Sequence, residues 1–345
     1  MRLEPAGLPS VLRVALLLGC SHLAASLRRS PKKETGAAAD PSDLEIDVTP
    51  DLVFETSERF LSLTVDMGCL GDSRGLHWLR RPLVRALVRP LAPAYLRFGG
   101  TTADYTAYDP QSTGAALLAR NDGWRASPEV SANPSDHPTL AAYHAGRNET
   151  TLSSGALVEL FAFARDARLG LVFDANLGSY RTGSGSEAGA WDPTALRALL
   201  EQARRGGLGV LAGWELGNEP DLFPGKPARP RLGYNLTAEQ LASDFAAFQG
   251  ALRASGQAEA LVIGPDVGTV HERDALFGGF LDLLGPGDAR SPDVATWHFY
   301  YGPGTARRHA LTRRNFSHPA VLDRFLHRAA RARRQASAWL AAPPA

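Results

Sequence analysis

The chain has 345 residues, 44% hydrophobic and 21% charged, and 37 Lys and Arg stand against 36 Asp and Glu for a formal net charge of +1. That length holds one (β/α)₈ barrel of about 250 residues or two smaller domains, and the composition excludes a disordered chain and, past the start, a membrane-spanning one. Near-neutrality excludes nucleic-acid or general polyanion binding driven by bulk charge, so an anionic ligand would be held locally.

Arg2, the apolar run from Val11 to Ala25 and the small residues Ala24-Ala25-Ser26 read as an export signal over residues 1–26, with a mature chain starting near Leu27. An amino-terminal membrane anchor is the weaker alternative, because so short an apolar core is poorly matched to about 30 Å of hydrocarbon. Export leads to the extracellular space or matrix, with the lysosome as a second destination. Cys20 lies inside the signal, leaving Cys69 alone and no internal disulfide to form. Three sequons, beginning at Asn148, Asn235 and Asn315, fit glycosylation of surface loops. Lys32, Lys33 and Lys226 are the only lysines, and arginine is the better reader of carboxylate or sulfate groups because its planar fork offers paired donors.

Strands are expected at Leu61 to Asp66, Ala94 to Gly99, Leu169 to Asn176, Ala212 to Asn218, Leu261 to Val267 and Val294 to His298. Between them, Arg81 to Arg89, Ala195 to Arg204 and Leu241 to Leu252 repeat at helical spacing, and a last helix runs from Pro319 to Arg334. The alternation is that of parallel strands joined by helices. Arg81, Arg85 and Arg89, four residues apart, read as a solvated helix face. A stretch rich in Ser, Asn, Pro, Gly and Ala over 109–153 interrupts the ladder and reads as a linker or an excisable segment.

The most specific segment is Trp214-Glu215-Leu216-Gly217-Asn218-Glu219-Pro220. At the carboxyl end of a barrel strand, Asn218 and Glu219 would face an active-site mouth, whereas the plain alternative is a helix cap. Glycoside hydrolysis needs a protonated carboxyl group for the leaving oxygen and a second carboxylate to attack or to activate water. Glu219 suits the first role, and Asn218 could hydrogen-bond a sugar 2-hydroxyl.

Together with Tyr95-Leu96-Arg97-Phe98-Gly99-Gly100-Thr101, Gly264-Pro265-Asp266-Val267-Gly268 and Thr296-Trp297-His298-Phe299-Tyr300-Tyr301, this segment resembles the ordered strand-end signatures of the heparanase family of glycoside hydrolases. The resemblance runs from about Leu44 to Arg334. It implies an α/β fold, a (β/α)₈ barrel beside a β-sandwich built mainly from the carboxyl-terminal region, and retaining endo-β-glucuronidase activity on heparan sulfate or heparin. It makes Glu219 the proton donor and Asn218 its neighbour, with Asp66, Thr101, His298 and Tyr300 lining the cleft. For the first two a helix cap, and for the last two a packed strand end, is the bland alternative. It divides the chain into a small-subunit-like part (27–108), a removable linker (109–153) and a large-subunit-like part (154–345), the two parts staying associated after cleavage.

The chain departs from the family pattern in two places. After the fifth strand, where the family places several basic residues, Val270-His271-Glu272-Arg273 keeps Arg273; Lys226, Arg229 and Arg231 in one loop and Arg307, Arg308, Arg313 and Arg314 in another are the expected sulfate or uronate contacts. The family's nucleophilic glutamate follows a Trp-Leu-Gly-Glu pattern, whereas here Trp339-Leu340-Ala341-Ala342 is followed by no carboxylate. The expectation is a barrel short of its nucleophile and inactive alone. A non-catalytic heparan-sulfate-binding protein and a barrel glycosidase of another polysaccharide remain the alternatives. No metal cluster or nucleotide fingerprint is evident, and no cofactor is expected.

Overall fold

The computed structural model describes residues 56–69, 78–109, 151–181, 189–205, 209, 211–225, 234–270, 275–285, 288–300 and 319–341. Six parallel strands are each followed by a helix: β1 (Leu63–Asp66) by α1 (Pro82–Val88), β2 (Tyr95–Gly99) by α2 (Ser154–Ala167), β5 (Gly170–Ala175) by α3 (Thr194–Arg205). The series continues with β6 (Gly213–Leu216) and α4 (Ala238–Ala254), β7 (Leu261–Val267) and α5 (Ala275–Leu284), and β8 (Val294–Trp297) and α6 (Pro319–Gln335). A short α7 (Ser337–Leu340) packs back on α5. The sheet order β1-β2-β5-β6-β7-β8 follows the sequence, so α1 to α5 are each a crossover between neighbouring parallel strands, as in a barrel wall.

All six expected strands and four expected helices are present, β7 with the expected bounds and the others differing by one to three residues at one or both ends. Three helices were not expected: α2, α5 and α7, the last standing where Trp339-Leu340 matched a strand-end pattern. At the edges of the 109–153 stretch, β3 (Ala107–Asp109) and β4 (Thr151–Ser153) pair in parallel, Tyr108 opposite Leu152, so the segment leaves and re-enters the fold at one place. Its interior lies outside the described residues, as do the export signal, Asn148 and Asn315.

Alternation along the strands sorts the side chains onto two faces. Leu96, Phe98, Phe173, Trp214 and Leu216 join the large core shared with the helices, where Phe173 and Trp214 rings lie 5.3 Å apart. The opposite face begins with a small apolar layer of Val172, Ile263 and Val294. Toward the strands' carboxyl ends the same face turns polar, with Arg97 opposite Val172 and Glu215 opposite Asp174. Parallel register then brings the strands' carboxyl ends to one edge: Asp66 opposite Gly99, Ala175 opposite Leu216, Val267 opposite Trp297.

The helices are fixed locally as well. Ser153 caps α2 by accepting the Ala156 N–H at 3.1 Å. Thr237 and Gln240 close a reciprocal capping box on α4. Arg85 on α1, expected in solvent, instead pairs with Asp166 and donates to the Leu79 carbonyl, tying α1 to α2.

Candidate active site

Glu219 stands just past β6 with φ +53°, left-handed backbone that a non-glycine residue adopts at a steric cost. Its N–H donates to the Asp266 carbonyl at 2.9 Å, and Asp266, at the corresponding place in β7, has φ +51°. Two strained residues are thus clasped across neighbouring strand ends. Gly217 at φ +79° lets the chain turn out of β6, and a Cβ there would sit 2.6 Å from Leu177.

The side chains form one connected network. His298 Nδ1 lies 2.8 Å from Glu219 Oε1, and its Nε2 lies 3.1 Å from Asp266 Oδ1. Arg97 Nη2 donates to Asp266 Oδ2 at 2.5 Å, to Asn218 Oδ1 at 3.3 Å and to Asp174 Oδ2 at 3.4 Å, and its Nε donates to Glu215. The Asn218 backbone N–H donates to Asp104 Oδ2 at 3.2 Å. At one end of this chain of bonds are buried carboxylates, and at the other is Glu219, whose side chain is 13% exposed.

One guanidinium cannot serve three buried carboxylates equally. Burial pushes Asp174 well above the ordinary carboxylate range, with Arg97 pulling the other way, and its Oδ1 has no hydrogen-bond partner. Burial likewise raises Glu215, to about 7, with Arg97 pulling the other way. At Asp266 the balance reverses, because Arg97 and the His298 contacts outweigh burial and lower it. Burial pulls the His298 imidazole down, but bonds to Asp266 and Glu219 raise it to about 10. An imidazolium donating from both nitrogens therefore bridges Asp266 and Glu219.

Glu219, Asn218 and His298 meet as expected. Asn218 is 2% exposed, and its Oδ1 accepts from Arg97. Tyr300 is 70% exposed, its ring edge-on to His298 with centroids 6.1 Å apart. Asp66 accepts the Gly68 N–H at 2.8 Å, as a turn cap does, and its other oxygen would be 2.7 Å from a Cβ at Gly100, beside the half-buried Thr101. Lys226, Arg229, Arg231, Arg273, Arg307, Arg308, Arg313 and Arg314 lie outside the described residues.

Sequence reasoning assigned no role to Arg97, Asp174, Glu215 or Asp266. Their signal was charge at inward-facing positions of otherwise apolar strands, which demands a partner. It also missed Asp221, whose carboxylate accepts from the Gly268 N–H at 2.7 Å and from the Thr269 N–H and hydroxyl at 3.0 Å each. This holds the loop after β7 beneath Glu219, close enough that a Cβ on Gly268 would lie 3.0 Å from Glu219 Cδ.

No protein-family model matches the chain. A heparanase of Rattus norvegicus is 30% identical over 92% of this chain and 58% of that protein. A hyaluronoglucuronidase of Hirudo nipponia is 27% identical over 75% of this chain and 50% of that one. An inactive heparanase-2 of Homo sapiens is 24% identical over 86% of this chain and 54% of that one. The chain spans about half the length of the curated relatives it matches.

Proposed function

We propose that this heparanase-like chain carries the acid–base half of an endo-β-glucuronidase site for heparan sulfate, with Glu219 as proton donor. The observation that carries the reading is the strained, clasped placement of Glu219 at a strand end beside a doubly bonded His298. As the glycosidic bond breaks, Glu219 protonates the departing oxygen, and the imidazolium donating from Nδ1 stabilises the carboxylate that forms. Asn218 Nδ2, fixed by Arg97, supplies a donor toward the sugar 2-hydroxyl.

Either stereochemical course needs a second carboxylate, about 5–5.5 Å from the acid for retention and about 6.5–9.5 Å for inversion. Asp174, Glu215 and Asp266 are buried and bonded to Arg97, so none of these three can attack an anomeric carbon. The retaining course that the family resemblance implies would use a carboxylate from outside the described residues. Substrate anions would be read by the arginine-rich loops around 226–231 and 307–314. We further propose export to the extracellular matrix or lysosome, and removal of the 110–150 interior with the flanking parts held together by the β3–β4 pairing.

The human relative named inactive favours a second reading, in which the same cleft binds heparan sulfate without cutting it. Chain-length analysis of heparan sulfate incubated with the secreted protein, in a preparation that also supplies the second carboxylate, separates the two. Shortening that falls by ~10²–10⁴ in E219Q, with an unchanged melting temperature, is expected for an acid catalyst. Retention on heparin with no shortening in either form would replace the hydrolase reading with the binding one.

A further inference from the structure

Charge in this chain is near balance but unevenly placed. Of its 37 basic and 36 acidic residues, nine and one fall from Phe299 onward, all nine being arginine, which leaves the preceding part net acidic at 28 against 35. Five of those arginines stand on α6. Helical spacing puts Arg324, His327, Arg331 and Arg334, at steps of three and four residues, in one stripe about three turns long, with Arg333 on its flank. Arg324, His327, Arg333 and Arg334 are exposed, and Arg331 is half-buried. Among the described residues no ion pair engages Arg324, Arg333 or Arg334. The opposite face of α6 is taken up by packing: Phe325 stacks on Trp297 with ring centroids 6.0 Å apart, and Ala329 and Ala332 are buried. Compensation of the helix dipole accounts for Arg333 and Arg334 in the last turn, but not for Arg324 or Arg331.

We infer that the exposed face of α6 is a second, non-catalytic binding surface for a sulfated glycosaminoglycan, outside the cleft. The Nη1 atoms of Arg328 and Arg331 each lie 3.4 Å from the Val270 carbonyl oxygen, and Val270 is two residues from Gly268, which packs on Glu219. The middle of α6 is thereby tied to the loop that borders the cleft, and a polymer leaving the cleft over that loop meets the stripe. Arginine suits this ligand because its planar fork offers paired donors to a sulfate or carboxylate, and a row of them matches anions repeated along a chain. An anionic membrane is the poorer match, because a helix lying on one inserts its apolar face, and the apolar face of α6 is inside the protein. The inference shares its class of ligand with the proposed function but needs neither Glu219 nor turnover.

The test is heparin binding by the full chain, measured by calorimetry at low salt. R324Q/R333Q/R334Q should bind about tenfold more weakly, through the loss of three exposed charge contacts. R89Q/R165Q/R197Q removes the same charge from exposed positions elsewhere and should weaken binding less than about twofold. Fully desulfated heparin should not distinguish the wild type from the α6 variant. In the wild type, heparin should shield Arg324, Arg333 and Arg334 from phenylglyoxal but leave Arg89, Arg165 and Arg197 reactive, a readout that requires no variant to fold. Equal weakening in the two triple variants, or phenylglyoxal modification of α6 unaltered by heparin, would overturn the inference. Phosphatidylserine vesicles bound through the same three arginines, with heparin binding unaffected by their loss, would assign the face to a membrane instead. Each readout is of binding alone, so a chain that never shortens heparan sulfate passes or fails on the same terms as one that does.

Discussion

His298 Nδ1 lies 2.8 Å from Glu219 Oε1 while the other ring nitrogen lies 3.1 Å from Asp266 Oδ1, so one imidazole joins the candidate acid to the buried charge network. The folded-state imidazole is raised to about 10, above its ordinary 6.5. A raised pKa gives stability that is fully present below about 6.5 and lost as pH rises through about 10. Nitrogen-detected NMR should show His298 doubly protonated at neutral pH and titrating near 10. Chemical denaturation should show stability falling across that window in the wild type, with a flatter profile in H298Q. Titration of His298 near 6.5 would mean that the bridge is not made.

Arg97 orders the ionisation of its three carboxylates, and two conservative variants separate them. Burial raises Asp174 whereas Asp266 is lowered, so D174N removes the less favoured charge and should cost less unfolding free energy than D266N. Asp266 carries charge against both Arg97 and His298, so D266N leaves two cations without their counter-charge and should cost about 3–5 kcal/mol. R97M, which strands the carboxylates instead, should cost a similar amount. Urea denaturation of the three proteins checks the order; equal losses for D174N and D266N would contradict this distribution of charge.

The strands were legible because apolar runs of strand length alternate with helical repeats, and Trp214 to Pro220 marked the site by itself. Helix α5 was not legible: Gly278 and Gly279 sit mid-helix, where glycine is unfavourable, and apolar residues surround them on all sides. Helix α2 starts directly after a polar stretch with only Ser153 as a start signal. The β3–β4 pairing joins three-residue strands on either side of that stretch, a contact set by the fold around it rather than by local pattern. In the site, Glu219 and Asn218 declared themselves by position, but Arg97 with Asp266 is a partnership between distant segments. Sequence could show only that each charge needed a partner, not which one.

Gly217 is needed for both conformation and space, and the two requirements can be separated. Alanine there meets a positive φ of +79° and places its Cβ 2.6 Å from Leu177. G217A should lose at least ~1–3 kcal/mol from the backbone alone, with further loss from the clash. Adding L177A removes the clash but not the strain, so the double variant should recover part of what the sum of the single losses predicts. Thermal melts of the four proteins give the coupling, and strict additivity would mean that Leu177 moves aside without resistance.

Asp221 acts on Glu219 through the loop after β7 rather than by touching substrate. Its carboxylate holds the backbone N–H groups of Gly268 and Thr269, and Gly268 packs on the Glu219 side chain with no room for a methyl group. D221A leaves both N–H groups without this acceptor and should cost about 1–3 kcal/mol; D221N, which keeps one acceptor oxygen, should cost less. G268A keeps those bonds but pushes against Glu219 Cδ and Leu222 Cδ1. In a preparation that cleaves heparan sulfate, D221A and G268A should both lower kcat with little change in KM, because the binding groups of the cleft stay in place while the acid is misaimed. D221N should restore part of the loss. A uniform rise in KM with kcat unchanged would assign the loop to substrate binding instead, and unchanged kinetics in G268A would show that Glu219 does not depend on the loop for its position.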